Sequence, residues 1–418
     1  MRKTEPRDIN RKEGYNLMDW KATRELFPIT SHSLYLNTGA GGPMSRRAIE
    51  EVARLEEVGS REGLYTPPLS SIHREAFQVG KERVAILLGA DTEEIAFTAS
   101  TTAGINLVAA SLEWQPGDEV IVSDNEHPGG YLPFLNMKRL RGIEVRVVPL
   151  DVRKDVFLER IEAVLSERTR LICLSHVAWC TGYQLPIKEI GELAHSRGIY
   201  LCVDGAQSAG QIPLNMEELS CDFYAIPGQK WLFGPVGTGA LYVRREQLEK
   251  LRLPLFSWQS ATSFDFPGQA IVPTNTARLL EWSTLNPSLF AGLGEAIGLL
   301  QEIGLKRIQK RIKVLSARLI RSLTSIPQVR LHSALDEDGL PYSGLVTFSI
   351  DGIKGNKVLA ELQEKLKVIA RTIPRPETFR HPLKDPITYD EERVRISTNF
   401  FNTEEEIDRL AGEVKRLR

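Results

Sequence analysis

Between Ser45 and Val243 the chain alternates between segments of helical spacing and short β-branched runs. "IHREAFQVGKERVAILLGA" places apolar residues at helical intervals, and "EEIAFTAS" reads as a short strand. "TTAGINLVAASL" is helical again, while "DEVIVSD", "IEVRVVPL", "TRLICLSH", "IYLCVDG", "DFYAIP" and "GALYV" read as further strands. Strands recurring with helices between them pair mainly in parallel, and such a sheet is covered on both faces. The expected class is therefore α/β. After Pro287 the texture changes: a long helical region, "LFAGLGEAIGLLQEIGLKRIQKRIKVLSARLIRSLTSI", precedes "GLVTFSID", "KVIARTI", "RVRISTNF" and a charged helix, "TEEEIDRLAGEVKRLR". That reads as a smaller α+β domain. The expected division is an N-terminal segment 1–44 joining the small domain and the active site, a large domain 45–290 and a small C-terminal domain 291–418. We find neither an internal repeat nor a low-complexity stretch.

In an open α/β sheet, ligands collect beyond the carboxyl ends of the strands, so the residues just after each strand carry the functional information. One is Lys230, alone among aromatic, aliphatic and glycine residues in "CDFYAIPGQKWLFGPVGTGALYV". Lysine is rarely buried, because stripping its ammonium of water is costly. The glycines after it invite a nucleotide reading, but a phosphate-binding glycine turn opens a helix. Here Gly234, Gly237 and Gly239 lead into the strand-like "ALYV". A desolvated lysine has another use, since a lowered pKa makes its amine a nucleophile toward carbonyl compounds.

Three other strand ends bear chemistry. "FTASTTAGIN" passes through Ser100, Thr101 and Thr102 into a helix, where hydroxyls and free N–H groups suit an anion; an ordinary N-cap accounts for the same residues. "VIVSDNEHPGGY" sets His127 in the following turn, as a metal ligand, a solvated loop residue or an aromatic plate for a planar ligand. With no second histidine or cysteine close by in sequence, the metal reading weakens, and no metal is expected. "LCVDGAQSAG" ends its strand at Asp204 with Gln207 beyond it; an aspartate there also serves simply to turn the chain.

The formal net charge of −1 gives no reason to expect nucleic acid or an anionic membrane surface as partner. The opening "MRKTEPRDINRKEGYN" is polar, and no apolar run approaches the ~20 residues needed to span a bilayer. A cytoplasmic location is expected. Cys173, Cys180, Cys202 and Cys221 lack metal-site spacing, and buried, reduced thiols are the expectation.

An amine nucleophile, an anion pocket, an aromatic plate and a carboxylate at one sheet edge together suit pyridoxal phosphate. "VDGAQSAG", "DFYAIPGQKWLFGPVGTGALYV", "FTASTTAGINLV", "NEHPGGYLPF" and "RVRISTNFFNTEEEID" resemble, in order and spacing, the class V aminotransferase-fold enzymes. That group includes cysteine desulfurases, cysteine/cystine C–S lyases, selenocysteine lyases and isopenicillin N epimerase-like proteins. The resemblance runs from about Leu34 to the C-terminus. It implies a fold-type I transferase with a mainly parallel seven-stranded sheet. It further implies that Lys230 carries the cofactor as a Schiff base, Asp204 pairs with the pyridine nitrogen, and Gln207 bonds the ring hydroxyl. His127 would stack on the ring, and Thr101 and Thr102 would bind the phosphate. Thr284 in "LLEWSTLNP" matches a position reaching the neighbouring subunit's phosphate, which implies a homodimer with a shared active site. Arg395 in "RVRIS" matches the arginine that clamps a substrate carboxylate, and Arg371 in "IARTI" is a second candidate for that region.

Departures from the family pattern narrow the reaction. Pro227 and Gln229 stand where many relatives have Ser or Thr and His; Pro227 offers no hydroxyl, whereas the Gln229 amide can still donate. Trp179 stands where desulfurases usually have asparagine. Desulfurases also carry a nucleophilic cysteine on a loop before the last arginine strand, and no cysteine follows Cys221 in this chain. The resulting expectation is a pyridoxal-phosphate enzyme acting on a small amino acid, foremost a cysteine/cystine-type C–S lyase. A class V aminotransferase, an epimerase, a cysteine desulfurase and a non-catalytic binding or regulatory relative are the alternatives.

Overall fold

The computed structural model describes residues 19–253, 255–373 and 393–417; residues 1–18 of the expected N-terminal segment lie outside them. Its strands begin with β1 (Leu34–Tyr35), β2 (Ile95–Thr98), β3 (Glu119–Ser123) and β4 (Glu144–Val148). There follow β5 (Thr169–Ser175), β6 (Tyr200–Asp204), β7 (Phe223–Pro227) and β8 (Gly239–Val243). β2 to β8 form one seven-stranded sheet in the order β2-β8-β7-β6-β5-β3-β4. All neighbours in it are parallel except β8, which runs antiparallel to both β2 and β7. The glycine-rich stretch is thus a return between β7 and β8, as the strand-like "ALYV" requires.

Alternate residues of each strand feed two separate cores. Ile172, Leu174, Leu201, Val203, Tyr224 and Ile226 pack on one face, and Leu171, Cys173, Cys202, Phe223 and Ala225 on the other. Both faces are dry, which is why these strands are continuously apolar in sequence. All four cysteines are free thiols and buried.

The later strands are β9 (Ala261–Asp265) and β10 (Ala270–Pro273), then β11 (Val329–Leu331), β12 (Leu345–Ile350), β13 (Val368–Ile369), β14 (Arg371–Ile373) and β15 (Arg393–Ser397). β9 and β10 make an exposed antiparallel hairpin. β11, β12, β15 and β14 form an antiparallel sheet in that order. Leu315, Leu319, Val358, Leu362, Ile407 and Leu410 from three helices cover it. Two details differ from the sequence expectation. The long helical region is two helices, Pro287–Ile303 and Leu305–Thr324, broken at Gly304, whose φ of 91° is open to glycine and strained for other residues. The run "KVIARTI" is also two strands: β13 pairs with β1, whereas β14 pairs with β15.

Residues 34–42 cross between the two sheets as a strap. Leu36 donates to the Ile369 carbonyl (2.8 Å) and accepts from the Ser397 N–H (2.8 Å), while the Gly39 N–H reaches Ser397 Oγ (3.1 Å). On the other side Gln207 Nε2 donates to the Gly39 carbonyl (2.8 Å), and the Gly42 N–H donates to the Gln229 carbonyl (2.6 Å). The strap leaves no room for a side chain at Gly42: a Cβ there would lie 2.1 Å from the Lys230 carbonyl oxygen.

Gly42→Ala is therefore expected to destabilise the protein by about 1–3 kcal/mol, the usual range for overpacking. Gly412→Ala, in a helix with open space around the added methyl, should instead be neutral or slightly stabilising. Denaturant unfolding of the two variants checks both.

Candidate active site

The carboxyl ends of β2, β3, β5, β6 and β7 face one cavity of about 240 Å³. Its lining includes Gly39 and Ala40 from the strap, Ser100 to Thr102, His127, Trp179, Asp204, Gln207, Pro227, Gln229, Lys230, Arg371 and Arg395. Nearly every residue singled out in the sequence thus meets at one place. A larger depression of about 290 Å³ beside Thr102 and Leu132 opens outward and has no charged side chain in its lining. The chemistry belongs to the inner cavity. Thr284 is exposed and is not part of this chain's cavity lining.

Lys230 follows β7 in the turn before β8 and is half-buried against the cavity. Desolvation pushes its amine down from the usual 10.5 to about 8; the nearby Asp204 opposes this shift, and Arg395 and Arg371 add to it. Asp204 ends β6, where its Oδ1 accepts the Ala206 N–H (2.8 Å). Burial raises the Asp204 pKa, with Lys230 and that N–H pulling the other way. His127 caps the helix Pro128–Arg141, its Nδ1 accepting from the Gly129 N–H (3.1 Å). Its ring meets Trp179 edge-on, with centroids 5.5 Å apart. Desolvation first, then cationic Lys230, Arg371 and Arg395, push the His127 pKa down to about 3, so the ring is neutral at physiological pH. A neutral planar ring on the cavity wall is a plate rather than an acid.

The two ends of the cavity hold donors that lack acceptors. At one end the helix Thr101–Ser111 presents its first turn, with no acidic residue there. Ser100 Oγ is engaged as the N-cap, accepting from the Ala103 N–H (3.1 Å). Among the described residues the Thr101 hydroxyl is buried without a partner; the Gln229 amide oxygen, an acceptor, is buried without one too. An anion receiving several charge-assisted hydrogen bonds, each worth ~1.5–3 kcal/mol, plus the helix dipole needs no lysine there. At the other end Arg395 is 1% exposed. Its Nη1 donates to the Trp179 carbonyl (3.0 Å), while Nε and Nη2 have no partner among the described residues. Burial, then Arg371, lowers the Arg395 pKa to about 9.

Gln207 is busier than the sequence suggested. Its Nε2 holds the Gly39 carbonyl and its Oε1 accepts from Trp231 Nε1 (2.8 Å), leaving one amide hydrogen for a ligand. Sequence reasoning missed Glu126 altogether. This carboxyl accepts from Ser123 Oγ (2.6 Å), Ser175 Oγ (2.6 Å) and the Ser175 N–H (2.9 Å), tying the His127 turn to the ends of β3 and β5. Burial nevertheless pushes its pKa up to about 7, with Asp204 adding to the shift. The only sequence hint was its place beside His127, in "SDNEHP". Among the described residues no group of three or more His, Cys, Asp or Glu is placed to hold a metal ion, and no helix is long and apolar enough to cross a membrane.

The cavity suits pyridoxal phosphate on its own geometry. It combines an amine of lowered pKa, one buried carboxylate, a neutral aromatic wall and a hydroxyl without an acceptor at a helix N-terminus. Comparison with known proteins points the same way. The pattern of the Aminotransferase class-V family matches residues 64–410. A probable cysteine desulfurase of Methanothermobacter thermautotrophicus is 31% identical over 94% of this chain and 97% of its own. The isopenicillin N epimerase of Streptomyces clavuligerus is likewise 31% identical, over 96% of this chain and 98% of its own. Among solved structures, the cystine C–S lyase C-DES in complex with its product cysteine persulfide superposes with a TM-score of 0.84. It is 27% identical, covering 93% of this chain and 99% of that one. A C-DES mutant with glycine covalently linked to its pyridoxal-phosphate cofactor gives the same TM-score at 26% identity.

The lowered Lys230 pKa carries a testable sign. Only the unprotonated amine is nucleophilic, so in cofactor-free protein labelling of Lys230 by fluorodinitrobenzene should rise through pH 8 and level off above it. Exposed lysines should still be gaining reactivity beyond pH 10. Peptide mass spectrometry against pH reads both; a Lys230 profile matching the exposed lysines would contradict the electrostatic picture.

Proposed function

The chain belongs to the class V aminotransferase family, and within it we propose a C–S lyase acting on a small amino acid of the cysteine or cystine type. The fold is the fold-type I transferase architecture, and the protein is a pyridoxal-phosphate enzyme of the cysteine desulfurase, C–S lyase and epimerase group. The observation that carries the proposal is the Lys230 amine, lowered to about 8, in a cavity whose described lining residues include one carboxylate, Asp204.

When bound, pyridoxal phosphate supplies an aldehyde that condenses with amines and a ring that accepts the electron pair left at the substrate α-carbon. Lys230 Nζ would hold the cofactor and, as a free amine, take the substrate α-proton, a task its lowered pKa suits. Asp204, buried at the end of β6, would keep the pyridine nitrogen protonated. His127 would wall the cofactor ring and exclude water from it. Thr101, Thr102, the Gln229 amide N–H and the helix N-terminus would take the phosphate, and the remaining Gln207 amide hydrogen the ring hydroxyl. Arg395 would bind the substrate α-carboxylate through its two unpartnered nitrogens, a two-pronged contact that orients the substrate.

Elimination rather than a protein persulfide relay is favoured by the cysteines. Residues 374–392, between β14 and β15, correspond to the desulfurase loop that bears the nucleophile; they lie outside the described residues, and their sequence has no cysteine. Cys180, the nearest rival, is buried at 1% exposure beside Trp179 and Ile373, without the solvent access that a sulfur-relaying nucleophile needs. A homodimer belongs to the same proposal. Trp258, Phe264, Phe266, Ile271 and Trp282 are all exposed along the β9–β10 hairpin and the segment before Thr284, an apolar surface that a second copy would cover. Thr284 would then lie near the partner's phosphate. The cytoplasmic location rests on the family resemblance.

The test is product analysis across a panel of amino acids. With cysteine or cystine the expected products are pyruvate and ammonia, with sulfide from cysteine and cysteine persulfide from cystine. A keto acid matching the substrate would mean transamination, and inversion without release would mean epimerisation; either replaces the lyase reading. Lys230→Ala should abolish turnover and leave no borohydride-fixed bond between cofactor and protein.

Cys180→Ser should retain at least about half of the lyase activity. Loss of turnover in that variant, together with an extra sulfur on Cys180 in the native protein during catalysis, would indicate a desulfurase with a relocated nucleophile.

A further inference from the structure

At the far end of the cavity two arginines stand directly opposite one another. Arg371 on β14 and Arg395 on β15 are register partners in an antiparallel pair, and both line the cavity. Like charges opposite each other across strands repel, and burying a cation without a counter-ion is costly. Among the described lining residues the one carboxylate is Asp204, at the end of β6. Neither arginine has a carboxylate partner among the described residues, so an anionic ligand would relieve the repulsion between them.

The number of anions follows from the donors. Arg395 has its Nη1 on the Trp179 carbonyl, which leaves Nε and Nη2, one edge of the guanidinium, for a bidentate carboxylate. Among the described residues Arg371 makes one long hydrogen bond, from Nε to the Thr372 carbonyl at 3.3 Å, and none from its Nη atoms. With one α-carboxylate seated on Arg395, two guanidinium charges would face one anion. Trp179 forms the wall beside them, so the space next to Arg371 is apolar on one side and cationic on the other.

We propose that the site is built for an amino acid carrying a second acidic group, with Arg395 holding the α-carboxylate and Arg371 the distal carboxylate or sulfinate. The inference rests on the cavity being an amino-acid site of a pyridoxal-phosphate enzyme, and it sharpens the substrate class. Cystine, with a carboxylate at each end, falls inside that class and is the preferred substrate, whereas cysteine engages Arg395 alone and is the poorer one. Arg371 thereby sets specificity, while Arg395 serves every amino acid alike.

Calorimetry on the cofactor-saturated protein tests this with unreactive probes. Succinate or glutarate should bind at least ~10-fold more tightly than propionate, a gap of about 1.4 kcal/mol. Arg371→Gln should shrink the gap to within about twofold by weakening the dicarboxylates, while propionate changes little. Equal affinities in the native protein, or a uniform weakening of all three probes in Arg371→Gln, would show that both arginines grip one carboxylate and would overturn the proposal. The visible absorption band of bound cofactor, recorded on the same samples, reports the underlying reading separately, so the two fail distinguishably.

Discussion

Everything in the site depends on an amine being kept from water beside one carboxylate. Among the described residues the cavity lining has three cationic side chains, Lys230, Arg371 and Arg395, against the one carboxylate of Asp204. In such a setting each cation makes its neighbours harder to protonate. The Lys230 amine falls to about 8, the Arg395 guanidinium to about 9 and the His127 ring to about 3, with desolvation the largest cause each time. Asp204 works against this trend and keeps Lys230 from falling further. A cofactor with a phosphate and a substrate with a carboxylate bring the missing negative charge, so binding and electrostatic relief are the same event.

The positions of these groups come from strand register rather than from loop geometry. β5 and β6 end level with each other, with Ser175 opposite Asp204. Glu126 grips Ser175 and Ser123 together, which fixes His127 relative to Asp204. On the opposite wall, Arg395 is carried by a strand that also holds the strap, because Ser397 binds both Leu36 and Gly39. The strap in turn touches Gln207 and the Lys230 turn. Lys230 and Arg395 are thus held in register by nine residues that belong to neither sheet.

Much of this was legible in the chain. The helix–strand alternation gave each strand of the large sheet, because buried parallel strands are apolar throughout and announce themselves. Lys230, Asp204, His127 and the threonine pair stood out because each is a polar residue just past such a run. What escaped was information held between distant segments. Glu126 looks like any charged loop residue until Ser175, forty-nine positions on, is known to face it. The opposition of Arg371 and Arg395 is a matter of register across two strands. Gly304 sits inside an unbroken helical pattern, and only its positive φ reveals the break. The occupation of Gln207 by Gly39 and Trp231 is likewise a tertiary fact.

The strap has a consequence for how the chain comes to be made. The hydrogen bond from Gly39 to Ser397 joins residues 358 apart in sequence. A ribosome adding roughly 5–20 residues each second therefore leaves the strap without its β15 partner for roughly 20–70 s. The large sheet and the Lys230 turn emerge well before that. During this interval a nascent chain holds the amine and its carboxylate but lacks the wall that carries Arg395. Cofactor capture in a completed pocket accordingly waits until β15 has been made and has emerged.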